Sequence, residues 1–105
     1  MNFKEIIDKD IKNVFLNIEE FGEIHNVNES QKNILIDNDE LEKIKLKDNS
    51  GNFKGNILFY ISKKDLDFIP KIQMFITLDN KKYRVSDFSE DSGVYQIILE
   101  AFYDH

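Results

Sequence analysis

The apolar period of this sequence changes once, and that change constrains the fold more than any other feature. Phe3, Ile6, Ile7, Ile11, Val14, Phe15 and Ile18 follow i, i+3, i+4 spacing and make one apolar face. Asn2 suits the N-cap, with Glu5 three residues later as in a capping box. The spacing predicts a helix over about 3–16. After Phe21-Gly22 the period shortens to two. Glu23–Val27 and Gln31–Asp37 read as short strands around the polar turn Asn28-Glu29-Ser30, with Ile34-Leu35-Ile36 fit for burial on both faces.

Residues 38–52 interrupt the strands. Charge dominates there and the stretch ends in loop formers, so it reads as a long polar loop in which Leu41, Ile44 and Leu46 support one helical turn at most. Phe53–Ser62 is a strong strand, followed by a turn at Lys63-Lys64-Asp65. Pro70 sits badly in any central strand. Ile72, Met74, Ile76 and Leu78 then alternate with Gln73, Phe75 and Thr77, and Asp79-Asn80 stands where a tight hairpin turn belongs. Tyr83 and Val85 continue on the return strand, with Lys82, Arg84 and Ser86 outward. Ser89–Gly93 is a second turn, and Val94–Phe102 is a last strand, apolar on both faces and therefore central. At 105 residues the chain makes one domain. One helix and about six hairpin-spaced strands predict a mainly β fold, a small antiparallel barrel or sandwich.

Composition excludes several chemistries. With 0 Cys and 2 His there is no disulfide, thiolate metal site or cysteine nucleophile, and a multi-histidine metal centre is disfavoured. Lys+Arg 14 against Asp+Glu 20 gives a net charge of −6, which argues against general nucleic-acid binding. The apolar runs fall far short of the ~20 residues that span a bilayer. The opening residues do not resemble an export signal, so the expected location is intracellular.

No candidate catalytic set assembles. Asp37, Asp39, Glu40 and Glu42 are the densest acids, but Leu41 and Glu42 break a calcium-loop pattern. His25 has no serine nucleophile in a suitable context, and His105 is the last residue. Asp87, Glu90 and Asp91 flank a turn, where such side chains bond the local backbone. Gly51 and Gly55 bracket no phosphate cradle, because no glycine-rich loop leads into Lys-Ser or Lys-Thr. Lys43, Lys45 and Lys47 alternate with Ile44 and Leu46, which on a strand would put three cations on one face. Asn2, Phe3, Asp39, Glu40, Glu42, Lys43, Lys45 and Lys47 are the expected partner-contact residues, drawn from the N-terminus and the polar stretch.

A resemblance adds to this reading. Asn2-Phe3-Lys4-Glu5-Ile6-Ile7, Asp10-Ile11, Val14-Phe15-Leu16-Asn17 and Glu20-Phe21 resemble the start of the head–tail joining (attachment) proteins of long-tailed phages and prophages. So do Ile36–Glu42, Leu58-Phe59-Tyr60, Lys64-Asp65-Leu66, Tyr83-Arg84-Val85, Glu90-Asp91, Gly93-Val94 and Leu99-Glu100-Ala101, in order along nearly the whole chain. The chain departs from the pattern before Gln73–Leu78 and at Asn80, where relatives often carry glycine. The resemblance implies a small antiparallel β-barrel of about six strands, over about 22–103, with an N-terminal α-helix and no catalytic site or cofactor. It also implies a head-completion connector that joins the portal end of a DNA-filled head to the tail and forms a ring there. The expected place is the virion, at the head–tail interface, after synthesis in the bacterial host cytoplasm. The expected partners are portal or head connector proteins and tail proteins, with no sequence-specific nucleic-acid binding and no membrane. The competing expectation is a small-molecule or nucleotide-binding barrel without catalytic activity.

Overall fold

The computed structural model describes residues 14, 16–48 and 55–102. Residue 14 and residues 16–21 are helical and form the described part of α1. The elements that follow are β1 (Glu23–Val27), β2 (Ser30–Ile36), α2 (Asn38–Lys47), β3 (Ile57–Ser62), a 3-10 turn (Lys63–Asp65), β4 (Phe75–Leu78), β5 (Lys81–Asp91) and β6 (Val94–Ala101). The six strands close into an antiparallel barrel in the order β1-β2-β3-β6-β5-β4.

Three connections are two-residue turns with both residues at positive φ: Asn28-Glu29, Asp79-Asn80 and Ser92-Gly93. That conformation matches the right-handed twist of the strands it joins, so each turn pins the register of its hairpin. Two bulges bend the sheet into closure. Gln73 (φ 72°) and Met74 together oppose Val85: the Gln73 N–H donates to Val85 O at 2.7 Å and the Val85 N–H to Met74 O at 2.9 Å. The second lies in β5, where the register with β6 shifts between Val85 and Asp87.

The apolar side chains divide into two layers. Val27, Ile34, Phe59, Ile61, Ile76, Leu78, Tyr83, Val85, Tyr95, Ile97 and Leu99 fill the barrel interior. Ile18, Leu41, Leu58, Tyr60, Val94 and Ile98 form a second cluster outside the wall, where α1 and α2 lie over β3 and β6. This explains why β3 and β6 are continuous apolar runs. Phe59 and Ile61 point in while Leu58 and Tyr60 point out, and β6 divides the same way. The expectation of a central last strand holds.

The chief departure from expectation is 38–52. Residues 38–47 are a helix, not a loop, and 49–52 lie outside the described residues. Asp37 caps the helix, its Oδ1 accepting the Glu40 N–H at 3.0 Å. Asp39 and Glu40 stand in the first turn and Lys45 and Lys47 in the last, each sign suited to its end of the helix dipole. Leu41 and Ile44, three apart, supply the face that packs on the barrel. Only two apolar residues on that face announce the helix, so its charges hid it.

Other boundaries shift. The helix expected over 3–16 runs on to 21, because Ile18 is buried under it; residues 3–13 and 15 lie outside the described residues. β3 starts at Ile57 rather than Phe53, and β4 at Phe75 rather than Ile72, since the bulge at Gln73 ends regular pairing. The expected turn Ser89–Gly93 contracts to Ser92-Gly93 as β5 runs on to Asp91. Ile36, expected to be buried, is 38% exposed at the barrel mouth.

Candidate partner interface

The partner-contact residues expected from the sequence fall on one described element. Asp39, Glu40, Glu42, Lys43, Lys45 and Lys47 all belong to α2, while Asn2 and Phe3 lie outside the described residues. Helical geometry removes the three-cation stripe. At about 100° per residue Lys43 and Lys47 share a face, and Lys45 turns away from them. Lys45 is half-buried, its Nζ 3.6 Å from Glu42 Oε1. Glu40 is half-buried too. The outward face consists of Asp39, Glu42, Lys43, Leu46 and Lys47, all exposed. Leu46 is 81% exposed at its centre. It is a single exposed apolar side chain ringed by both signs of charge. The sequence groups Leu46 with Leu41 and Ile44 as packing residues. On the helix it stands about 200° around the axis from Ile44, two residues away, and so turns to solvent.

A second feature lies at the barrel mouth. Phe21, Glu23, His25, Ile34, Leu35 and Ile36 line a cleft of about 140 Å3. His25 Nδ1 is 2.6 Å from Asp79 Oδ2, and Asp79 Oδ1 accepts the Asn26 N–H at 2.9 Å. The bond to His25, then the Asn26 N–H, hold the Asp79 carboxyl below its ordinary pKa. The arrangement latches the barrel seam. β1 and β4 pair at Val27 and Leu78. On either side Asn28 Oδ1 accepts the Thr77 N–H and Asp79 accepts that of Asn26, so two turn residues complete the closure with their side chains. His25 therefore has a structural partner, and no serine nucleophile is bonded to it among the described residues.

A third feature is the wall of β4 and β5, away from the cluster that the described parts of α1 and α2 form with β3 and β6. Phe75 and Phe102 meet edge to face at 5.0 Å, and the Lys82 ammonium lies 4.5 Å and 4.9 Å from their ring centres. Arg84 Nε donates to Glu100 Oε1 at 2.6 Å beside them. Phe75 is 48% exposed. Among the described residues no group of three or more His, Cys, Asp or Glu is placed to hold a metal ion. No helix of the described residues is long and apolar enough to cross a membrane.

With this geometry in view, comparison with known proteins bears on the fold. No family model matches the chain, and no curated protein matches it. Among solved structures it is similar to the ATP-binding sugar transporter-like protein from Salmonella typhimurium, with a TM-score of 0.51 and 16% identity over 94% of this chain and 96% of that one. At that identity the likeness concerns the fold alone.

Proposed function

We propose that this protein is a structural adaptor of a phage or prophage particle, joining the portal end of the DNA-filled head to the tail. The observation that carries the reading is the in-order resemblance of its segments, from Asn2 to Ala101, to head–tail joining proteins. In this reading it self-associates into a ring on the particle, contacts portal or head connector proteins on one side and tail proteins on the other, and performs no catalysis. The acidic excess of −6 repels DNA from such a ring rather than binding it. The exposed face of α2 is a surface suited to one of these contacts, with Leu46 as its apolar anchor. Phe59, Ile61, Val85, Ile97 and Leu99 fill the barrel lumen, each fully buried, so in the alternative reading, a small-molecule or nucleotide-binding barrel, the ligand would sit outside the lumen.

The test is complementation. Purified protein is added to DNA-filled heads and free tails that lack it, and joined particles are counted by electron microscopy and plaque formation. The expected result is joining by the native chain and a loss of about tenfold or more with Leu46→Asp, whose fold is unperturbed because the side chain is exposed. Absence of joined particles, with binding to neither heads nor tails, overturns the reading.

A further inference from the structure

We propose that the outer edge of β1, together with the cleft at the barrel mouth, captures an extended, cationic–apolar peptide segment of a partner by strand addition. The two-residue turn sets the parity of the β1–β2 hairpin. Val27 and Ser30 flank that turn and exchange both backbone bonds, so His25–Lys32 and Glu23–Ile34 do the same two and four residues on. The backbone groups of Ile24 and Asn26 therefore point to the opposite edge. Those of Asn26 are occupied, its N–H by Asp79 Oδ1 and its C=O by the Asp79 N–H at 2.9 Å. Beyond Asp79 the β4–β5 turn carries the chain away, and no described residue bonds the Ile24 N–H or C=O on that side. An exposed strand edge of this kind is a template for another strand.

The side chains around that edge define the occupant. A residue paired with Ile24 shares the outer face of β1, where Ile24 is 61% exposed, and its neighbours turn to the inner face. On that side lies the cleft between Phe21 and Ile36, about 140 Å3 in volume and lined also by Glu23 and His25, with room for one side chain whose apolar part meets Phe21 and Ile36. Phe21 is 66% exposed, so an apolar side chain placed there would remove surface from water on both partners. The acid of the cleft lining is Glu23, whose side chain is 81% exposed and whose Oε2 lies 3.7 Å from His25 Nε2. The nearby cation Lys32 is engaged with Asp67 at 2.8 Å. Charge complementarity thus selects a segment with lysine or arginine on the same face as its apolar anchor. This inference does not depend on the adaptor reading, since any partner with such a segment satisfies it.

The probe is the capped peptide Lys-Val-Leu-Val-Lys, whose leucine and lysines share one face when extended. It is titrated into the isotope-labelled full chain and followed by amide NMR. The expected result is saturable shifts at Phe21, Glu23, Ile24 and Ile36, with hydrogen exchange at the Ile24 amide slowed about tenfold at saturation. N-methylation of both valines removes the backbone donors and is expected to weaken binding about tenfold. Exchange of the lysines for glutamates is expected to do the same. Ile24→Pro deletes the edge N–H at a position that bonds nothing in β2 and is expected to abolish the shifts. Equal binding of the N-methylated peptide, equal binding of the glutamate peptide, shifts confined to another surface, or no shifts at millimolar peptide would each overturn the proposal.

Discussion

Single residues carry much of this fold's geometry through their backbone angles. Glu29 (φ 70°) and Gln73 (φ 72°) hold the left-handed conformation without the local side-chain bonding that makes it tolerable for Asn. Glu29→Gly and Gln73→Gly are each expected to stabilise the protein by about 1 kcal/mol, raising Tm in calorimetry by about 4–8 °C. Gly22 has the opposite logic. Its N–H donates to Ile18 O at 3.1 Å, and a Cβ there would overlap that carbonyl oxygen and the Asn33 side chain, which itself donates to Ile18 O. Gly22→Ala is expected to cost about 1–3 kcal/mol in denaturant unfolding. Asp79 sets a pH dependence. Because its carboxyl pKa is lowered in the folded state, its contribution is fully present above the unfolded value of about 4 and is lost as pH falls through the folded value. Asp79→Asn retains the acceptor for Asn26 but not the charge. Its acid-unfolding curve should be shallower than that of the native chain below about pH 4, and parallel to it at neutral pH.

At the scale of elements, α2 and the seam show what was legible and what was not. The hairpins were readable because turn residues and alternation are local signals. Asp79-Asn80 and Asn28-Glu29 mark their turns from within the chain. α2 was not, although Asp37 and Glu40 stand three apart as a cap and an N-terminal acid should. An isolated ten-residue helix is marginal in water, so this one depends on Leu41 and Ile44 meeting Leu58 and Tyr60, more than a dozen residues away in sequence. Asp37→Ala should therefore cost about 1 kcal/mol and speed amide exchange in α2 before the strands. The candidate contact face followed the same course. Six of its expected residues do sit together on one element, but helical geometry disperses the lysine stripe and brings forward Leu46, which an extended reading had no reason to expose.

At the scale of the whole molecule, the described helical residues pack over β3 and β6, and on the β4–β5 wall Phe75 is 48% exposed. The order of amino acids settled the alternation of the strands, the position of the tight turns and the absence of cysteine chemistry, because each depends on residues a few positions apart or on composition alone. Its apolar runs also marked β6 as a strand buried on both faces, whereas the same reading of Ile34-Leu35-Ile36 in β2 fails at Ile36, which is 38% exposed. Closure was another matter. The barrel seals through Val27–Leu78 and the side chains of Asn28 and Asp79, groups some fifty positions apart, and along the same seam no described residue bonds the Ile24 backbone on the side away from β2. Burial and hydrogen bonding between distant segments depend on which surfaces meet, and the chain acquires that information only when it folds.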